Sequence, residues 1–186
     1  LAQDLGVRTI QLAGYDVYYE EKSPQTRQRF IKNLRKACDW AEEAQVVLAI
    51  EIMDDPFINS IEKYLAVEKD VDSPYLFVYP DIGNVSAWHN DVYSEFYLGH
   101  HAITALHLKD TYAVTESSKG QFRDVPFGQG CVKWEEAFDI LKQTNYNGPF
   151  LIEMWSENCE TVEETRAAIQ EAQAFLYPLI KKAGLM

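Results

Sequence analysis

Apolar positions along the chain follow two periods in turn. Short aliphatic runs alternate with longer stretches in which apolar residues recur every three or four positions. The first run, "VRTIQLA" (Val7–Ala13), predicts a strand, and Pro24–Gln45 predicts an amphipathic helix with Phe30, Leu34, Cys38 and Ala41 on one face. Val46–Met53 reads as a strand, Ile58–Asp70 as a helix opened by Asn59 or Ser60, and Leu76–Tyr79 as a short strand ending at Pro80–Asp81. A helix over Asp91–His101, a strand over Ile103–Leu108 and a long loop to Gly130 come next. The pattern closes with a helix over Val132–Thr144, a strand over Pro149–Trp155 and a helix over Val162–Ala183, broken or kinked near Pro178. The opening "LAQDLG" reads as the last turns of a helix closed by Gly6.

Strand–helix alternation of this kind implies an α/β fold, a parallel sheet covered by helices. A doubly wound nucleotide binder would show a glycine-rich turn after an early strand, and none is present. The expectation is the C-terminal five βα units of a (βα)8 TIM barrel, with the three N-terminal units, about 90–100 residues, missing before Leu1. No linker or low-complexity tract divides the chain, so residues 1–186 read as a single domain.

Two aliphatic runs carry an oddity. "LAIEIMD" holds Glu51 and "FLIEMW" holds Glu153. A carboxylate in an apolar interior is costly unless paired, protonated or bound to a metal. Strand residues alternate between faces, which puts Glu51 with Ala49, and Glu153 with Leu151. The same parity groups Phe77, Tyr79 and Asp81, and Ile103, Ala105 and His107. Four successive strands therefore end with Glu51, Asp81, His107 and Glu153 on the inner face, at the end where barrels of this kind carry their active sites. Any one of them alone reads as a helix cap, an ion-pair member (Glu51 with Arg8 or Lys109) or a structural histidine. Three carboxylates and an imidazole converging on one point would repel unless a cation joined them. The set suits Mn²⁺ or Mg²⁺, with Zn²⁺ or Co²⁺ as alternatives.

Charge changes the picture by exclusion. The net charge of -12 and pI near 4.7 argue against a nucleic-acid partner, while leaving room for one phosphorylated small molecule. The three cysteines lie far apart and form no CxxC pair, which points to a reducing, cytoplasmic setting. No run of 18 apolar residues marks a membrane span.

The stretches "RTIQLAGYDVYYE", "AIEIMD", "YPDIGN", "HLKDT", "FRDVPFGQG" and "FLIEMW" closely resemble the L-ribulose-5-phosphate 3-epimerase family, also called L-xylulose-5-phosphate 3-epimerases, among the xylose-isomerase-like TIM barrels. Older usage calls relatives hexulose-6-phosphate isomerases. The resemblance covers the whole chain and implies an isomerase of L-ascorbate and L-sugar catabolism: a metal-dependent ketopentose-phosphate 3-epimerase. It places the metal ligands at Glu51, Asp81, His107 and Glu153, with Glu51 and Glu153 also the acid/base pair. Ketose 3-epimerases of free sugars carry a histidine three residues after the metal-binding aspartate. Here that place is Asn84, a candidate substrate contact to which the histidine's role does not carry over. An aldose–ketose isomerase is the enzymatic alternative and a non-catalytic sugar-binding protein the alternative of another class. An abasic-site endonuclease of the same superfamily needs more histidines at strand ends than this chain has.

The long loop after "HLK" holds Lys109, Lys119, Arg123 and three glycines. Loops after the seventh strand of such barrels often bind phosphate. Lys109 and Arg123 are the candidate phosphate contacts, with glycine amides beside them, and Lys119 is as readily a solvated surface charge. Gln11 is a candidate for the mouth of the pocket, and a homo-oligomer, a dimer, is the expected assembly.

Overall fold

A computed structural model describes all residues, 1–186. In chain order the elements are α1 (Ala2–Leu5), β1 (Thr9–Ala13), α2 (Pro24–Ala44), β2 (Val47–Glu51), α3 (Ile61–Val71), β3 (Leu76–Tyr79), α4 (Ile82–Ala87) and α5 (Val92–Gly99), with a 3₁₀ turn at His100–Ala102. They continue with β4 (Leu106–Leu108), β5 (Asp110–Tyr112), β6 (Gln121–Val125), α6 (Trp134–Gln143), β7 (Phe150–Ile152) and α7 (Val162–Ala183). β1, β2 and β3 pair in parallel, in that order. Parallel bridges Val78–Ile103 and Asp81–His107 carry β4 beside β3, and β7 pairs in parallel with β4. The result is an arc of five parallel strands with β1 and β7 each paired on one side only.

Local sequence explains most helix boundaries. Ser23 and Thr26 form a reciprocal capping box with Pro24 in the first turn of α2. Of the two candidate caps for α3, Ser60 takes the role, accepting from the Lys63 amide at 3.1 Å. Leu34, Cys38 and Ala41 of α2 are buried as the period requires, and Leu48, Ile50 and Ile52 face the same core from β2. A second, smaller cluster of Ala49, Tyr79 and Ala105, with Phe77 against it, lies on the inner face of the strands. Ile103 packs with the main core rather than with Ala105 and His107, because it precedes the strand.

Three expectations change. The stretch read as a loop after Lys109 contains an antiparallel hairpin, β5 with β6, in register Asp110–Val125 and Tyr112–Gln121. Six residues after Asp81 form α4, which was not expected. α7 runs unbroken through Pro178, since Leu176 and Ile180 on either side are buried in the core.

The β1–α2 loop is tied down by Asp16, which accepts from Lys22 Nζ and Thr26 Oγ1, each at 2.6 Å. Burial pushes the pKa of this carboxyl up, but the two donors outweigh it and leave the pKa below its usual value. A carboxyl depressed on folding contributes stability above its unfolded pKa, about 3.9, and loses it as pH falls through the folded value. Asp16→Asn should therefore melt lower than the parent at neutral pH, and the gap should narrow as pH falls below about 3.9. A gap that stays constant with pH would show that the charge is not what matters.

Candidate metal centre

Each side chain of the quartet reaches the centre from a different strand end. Glu51 is the last residue of β2, and His107 the middle of β4. Glu153 follows β7, its amide bonded to Leu108 O at 3.0 Å. Asp81 follows β3 and caps α4, accepting from the Asn84 amide through Oδ1 at 2.7 Å. The cap reading of Asp81 thus holds alongside the other one: Oδ1 serves the helix and Oδ2 faces the centre. One ligand atom from each of the four side chains lies within 4.8 Å of all the others. Tyr79 forms part of the floor, its ring 4.7 Å from that of His107.

Glu51 Oε1 and Glu153 Oε2 flank the same atom, His107 Nδ1, each at 2.8 Å, and Asp81 Oδ2 stands 3.9 Å from it. A ring nitrogen carries at most one proton and bonds one of these oxygens at a time. Asp81 Oδ2 and Glu153 Oε2 are buried and accept no well-aligned hydrogen bond, with only the charged neighbours Lys109 Nζ (3.2 Å) and His107 Nδ1 (2.8 Å) beside them. Buried polar atoms are seldom left unpaired, so the chemistry of the donor set fits a divalent cation, three carboxylates and an imidazole aimed at one spot.

Without a cation the charges settle on one another. Burial pulls the His107 pKa down, but Glu153 and Glu51 beside it win and hold it up at about 9. Burial raises Glu153, yet the bonds to His107 and Asp81 and the Lys109 charge hold it at about 2. Complete burial pushes Asp81 well above the carboxylate range despite Lys109, and the neighbouring Glu153 carboxylate adds to the rise. Burial, then the Glu51 and Glu153 charges, push Tyr79 up to about 12.

Of the candidate substrate contacts, Gln11 donates to Glu51 Oε2 at 2.7 Å from the edge strand. Asn84 is buried, donates to Ile52 O at 2.9 Å and leaves its own Oδ1 unpartnered. Lys109 does not project toward solvent: its ammonium sits 3.2 Å from Asp81 Oδ2 and 3.4 Å from Glu153 Oε1. Arg123 is exposed, makes no ion pair, and lies with its guanidinium 4.9 Å above the Trp155 ring. Lys119 is exposed near the hairpin tip. The glycine amides expected to face a phosphate are already engaged. Gly128 N and Gly130 N donate to Asp110 Oδ2 at 2.8 and 3.1 Å, and Gly120 N donates to Ser118 Oγ.

Trp155 and Asp110 escaped the sequence reading. Trp155 shares the parity of Glu153, a signal that was available. Asp110 follows Lys109 directly and had no local mark, because apart from the Thr111 amide its partners lie 18 to 24 residues on. A cavity of about 440 Å³ adjoins the centre, with Lys109 and Glu153 at one end and Phe127, Trp155 and Phe175 among its walls.

Comparison with known proteins agrees with this architecture. The xylose isomerase-like TIM barrel family matches residues 1–179. The chain is 52% identical over 186 residues to the protein SgbU of Haemophilus influenzae, covering 64% of that protein's length. It is 48% identical over 185 residues to the L-ribulose-5-phosphate 3-epimerase UlaE of Escherichia coli, covering 62% of that protein. The chain thus spans just under two thirds of the length of these relatives. Among solved structures, an L-ribulose 3-epimerase superposes with a TM-score of 0.77 at 19% identity, over 98% of this chain and 64% of the other. A xylose isomerase domain protein of Planctomyces limnophilus gives 0.77 at 21% identity, over 100% and 62%. At these identities the two structures speak for the fold alone.

Proposed function

The chain belongs to the xylose isomerase-like TIM barrel family, and from that premise we propose that it acts on a phosphorylated ketopentose, interconverting L-ribulose 5-phosphate and L-xylulose 5-phosphate by metal-dependent epimerisation at C3. The observation that carries the reading is the convergence of Glu51, Asp81, His107 and Glu153, with two buried carboxylate oxygens that accept no well-aligned hydrogen bond. The Escherichia coli relative, an L-ribulose-5-phosphate 3-epimerase, supplies the substrate class.

Glu51, Asp81, His107 and Glu153 would hold Mn²⁺, Mg²⁺, Zn²⁺ or Co²⁺, and the ion when bound would act as a Lewis acid toward the oxygens around the substrate carbonyl. Epimerisation needs a proton taken from C3 on one face and returned on the other. Glu51 reaches His107 Nδ1 from the end of β2 and Glu153 from beyond β7, so a ketose lying between these strand ends would meet one carboxylate from each. One glutamate takes the C3 proton and the other delivers one to the opposite face, the roles exchanging with direction. Gln11 fixes Glu51 by its second oxygen. Arg123, unpaired and supported on an indole face, is the phosphate contact best placed by its surroundings. The free thiols and a phosphorylated substrate suit a cytoplasmic enzyme, and no helix is long and apolar enough to cross a membrane.

The test is turnover of L-ribulose 5-phosphate in D₂O with Mn²⁺ supplied. Deuterium should appear at C3 of both epimers, and chelation should stop its incorporation. Label at C1 would assign an aldose–ketose isomerase instead, and metal-independent sugar binding without exchange would assign a non-catalytic protein.

A further inference from the structure

Lys109 is a lysine turned inward. Only 8% of its side chain is exposed, and its ammonium bridges Asp81 Oδ2 and Glu153 Oε1. The Trp155 ring covers it from another side, 5.2 Å away. Room for its stem is built into α4: a Cβ at Gly83 would lie 2.8 Å from Lys109 Cγ and 2.8 Å from its carbonyl oxygen. Lysines are almost never buried this far unless paired. Here the partners are two of the carboxylates that would hold the cation, so the ammonium and the ion share the same pair of side chains.

Charge counting then gives Lys109 a task. Glu51, Asp81 and Glu153 carry three negative charges when ionised. A divalent ion leaves one of them uncompensated, in a site meant for a sugar that itself carries a phosphate. We propose that Lys109 is a positioning residue that cancels this remaining charge and holds Asp81 Oδ2 and Glu153 Oε1 in place, making the loaded centre neutral toward an anionic substrate while weakening its hold on the metal. The inference rests on the metal-centre reading given above. A lysine kept only for packing would raise metal affinity by its presence, through a better ordered site. A lysine acting by charge lowers it, because like charges a few ångströms apart repel.

The experiment is calorimetric titration of Mn²⁺ into the 186-residue protein and its Lys109→Met and Lys109→Arg variants, beside KM and kcat with L-ribulose 5-phosphate. Lys109→Met should bind Mn²⁺ about ten-fold more tightly or better, with KM raised, and Lys109→Arg should return both toward the parent. Should Lys109→Met fail to fold, Lys109→Gln, which keeps a donor without the charge, carries the same expectation. Mn²⁺ affinity unchanged or weakened in a folded, uncharged variant overturns the role of Lys109 and leaves the metal centre standing. A parent protein that binds no Mn²⁺ overturns both.

Discussion

Glu51→Gln and Glu153→Gln should each reduce interconversion of the two ketopentose phosphates by roughly 10²–10⁴-fold or more, the range a positioned acid or base supplies. Glutamine keeps the shape and one oxygen of each side chain but cannot carry the proton. Both residues lie against His107 Nδ1 at 2.8 Å, so each substitution also removes one anion from the imidazole. The fold should survive, since Glu153 sits beyond the end of β7 and Glu51 keeps its backbone pairing with β1 and β3. The two variants should differ in what they retain. With one carboxylate left, each should still exchange the C3 proton of a single epimer with D₂O, and the two should favour opposite epimers. Proton NMR of the recovered sugars reads this directly. Equal exchange into both epimers by either variant, or parental epimerisation rates in both, would remove the two-glutamate scheme.

The largest effect on stability is expected at Asp110, outside the quartet. Its carboxylate accepts from Thr111 N (3.0 Å), Gly128 N (2.8 Å), Gly130 N (3.1 Å) and Val132 N (3.3 Å), and from Trp134 Nε1 (3.4 Å). One buried side chain thus closes the segment between β6 and α6 onto β5. Gly130 is glycine because a Cβ there would lie 2.0 Å from Asp110 Oδ1. Asp110→Ala leaves these donors without their acceptor; Gly128 is exposed and can turn to water, but Val132 N and Trp134 Nε1 are buried, so the loss should be about 2–4 kcal/mol. Asp110→Asn should cost less, since one oxygen still accepts while the new amino group faces donors. Denaturant midpoints give the loss, and hydrogen exchange at Gly128, Gly130 and Val132 gives its location. A loss below about 1 kcal/mol in Asp110→Ala, or exchange that stays slow at those amides, would show that the segment holds without the carboxylate.

Much of this site was legible in one dimension because strand parity is a local property. Alternation along β2, β3, β4 and β7 places Glu51, Asp81, His107 and Glu153 on one face whatever the chain does between them, and amphipathic period and caps such as Ser23 and Ser60 set the helices. The remainder was decided by groups that meet only in the folded molecule. Lys109 reads as a phosphate contact or as a partner of Glu51, yet its ammonium lies between Asp81 and Glu153, 28 and 44 positions away in sequence. Gly128 and Gly130 read as an anion-binding loop, yet their amides bind an anion of the protein itself, Asp110. The segment between β6 and α6 closes onto that same carboxylate. A charge or an unpaired amide is visible in a sequence. Its partner is chosen by tertiary proximity, because burial makes pairing within a few ångströms obligatory, and no local period encodes which distant group will be there.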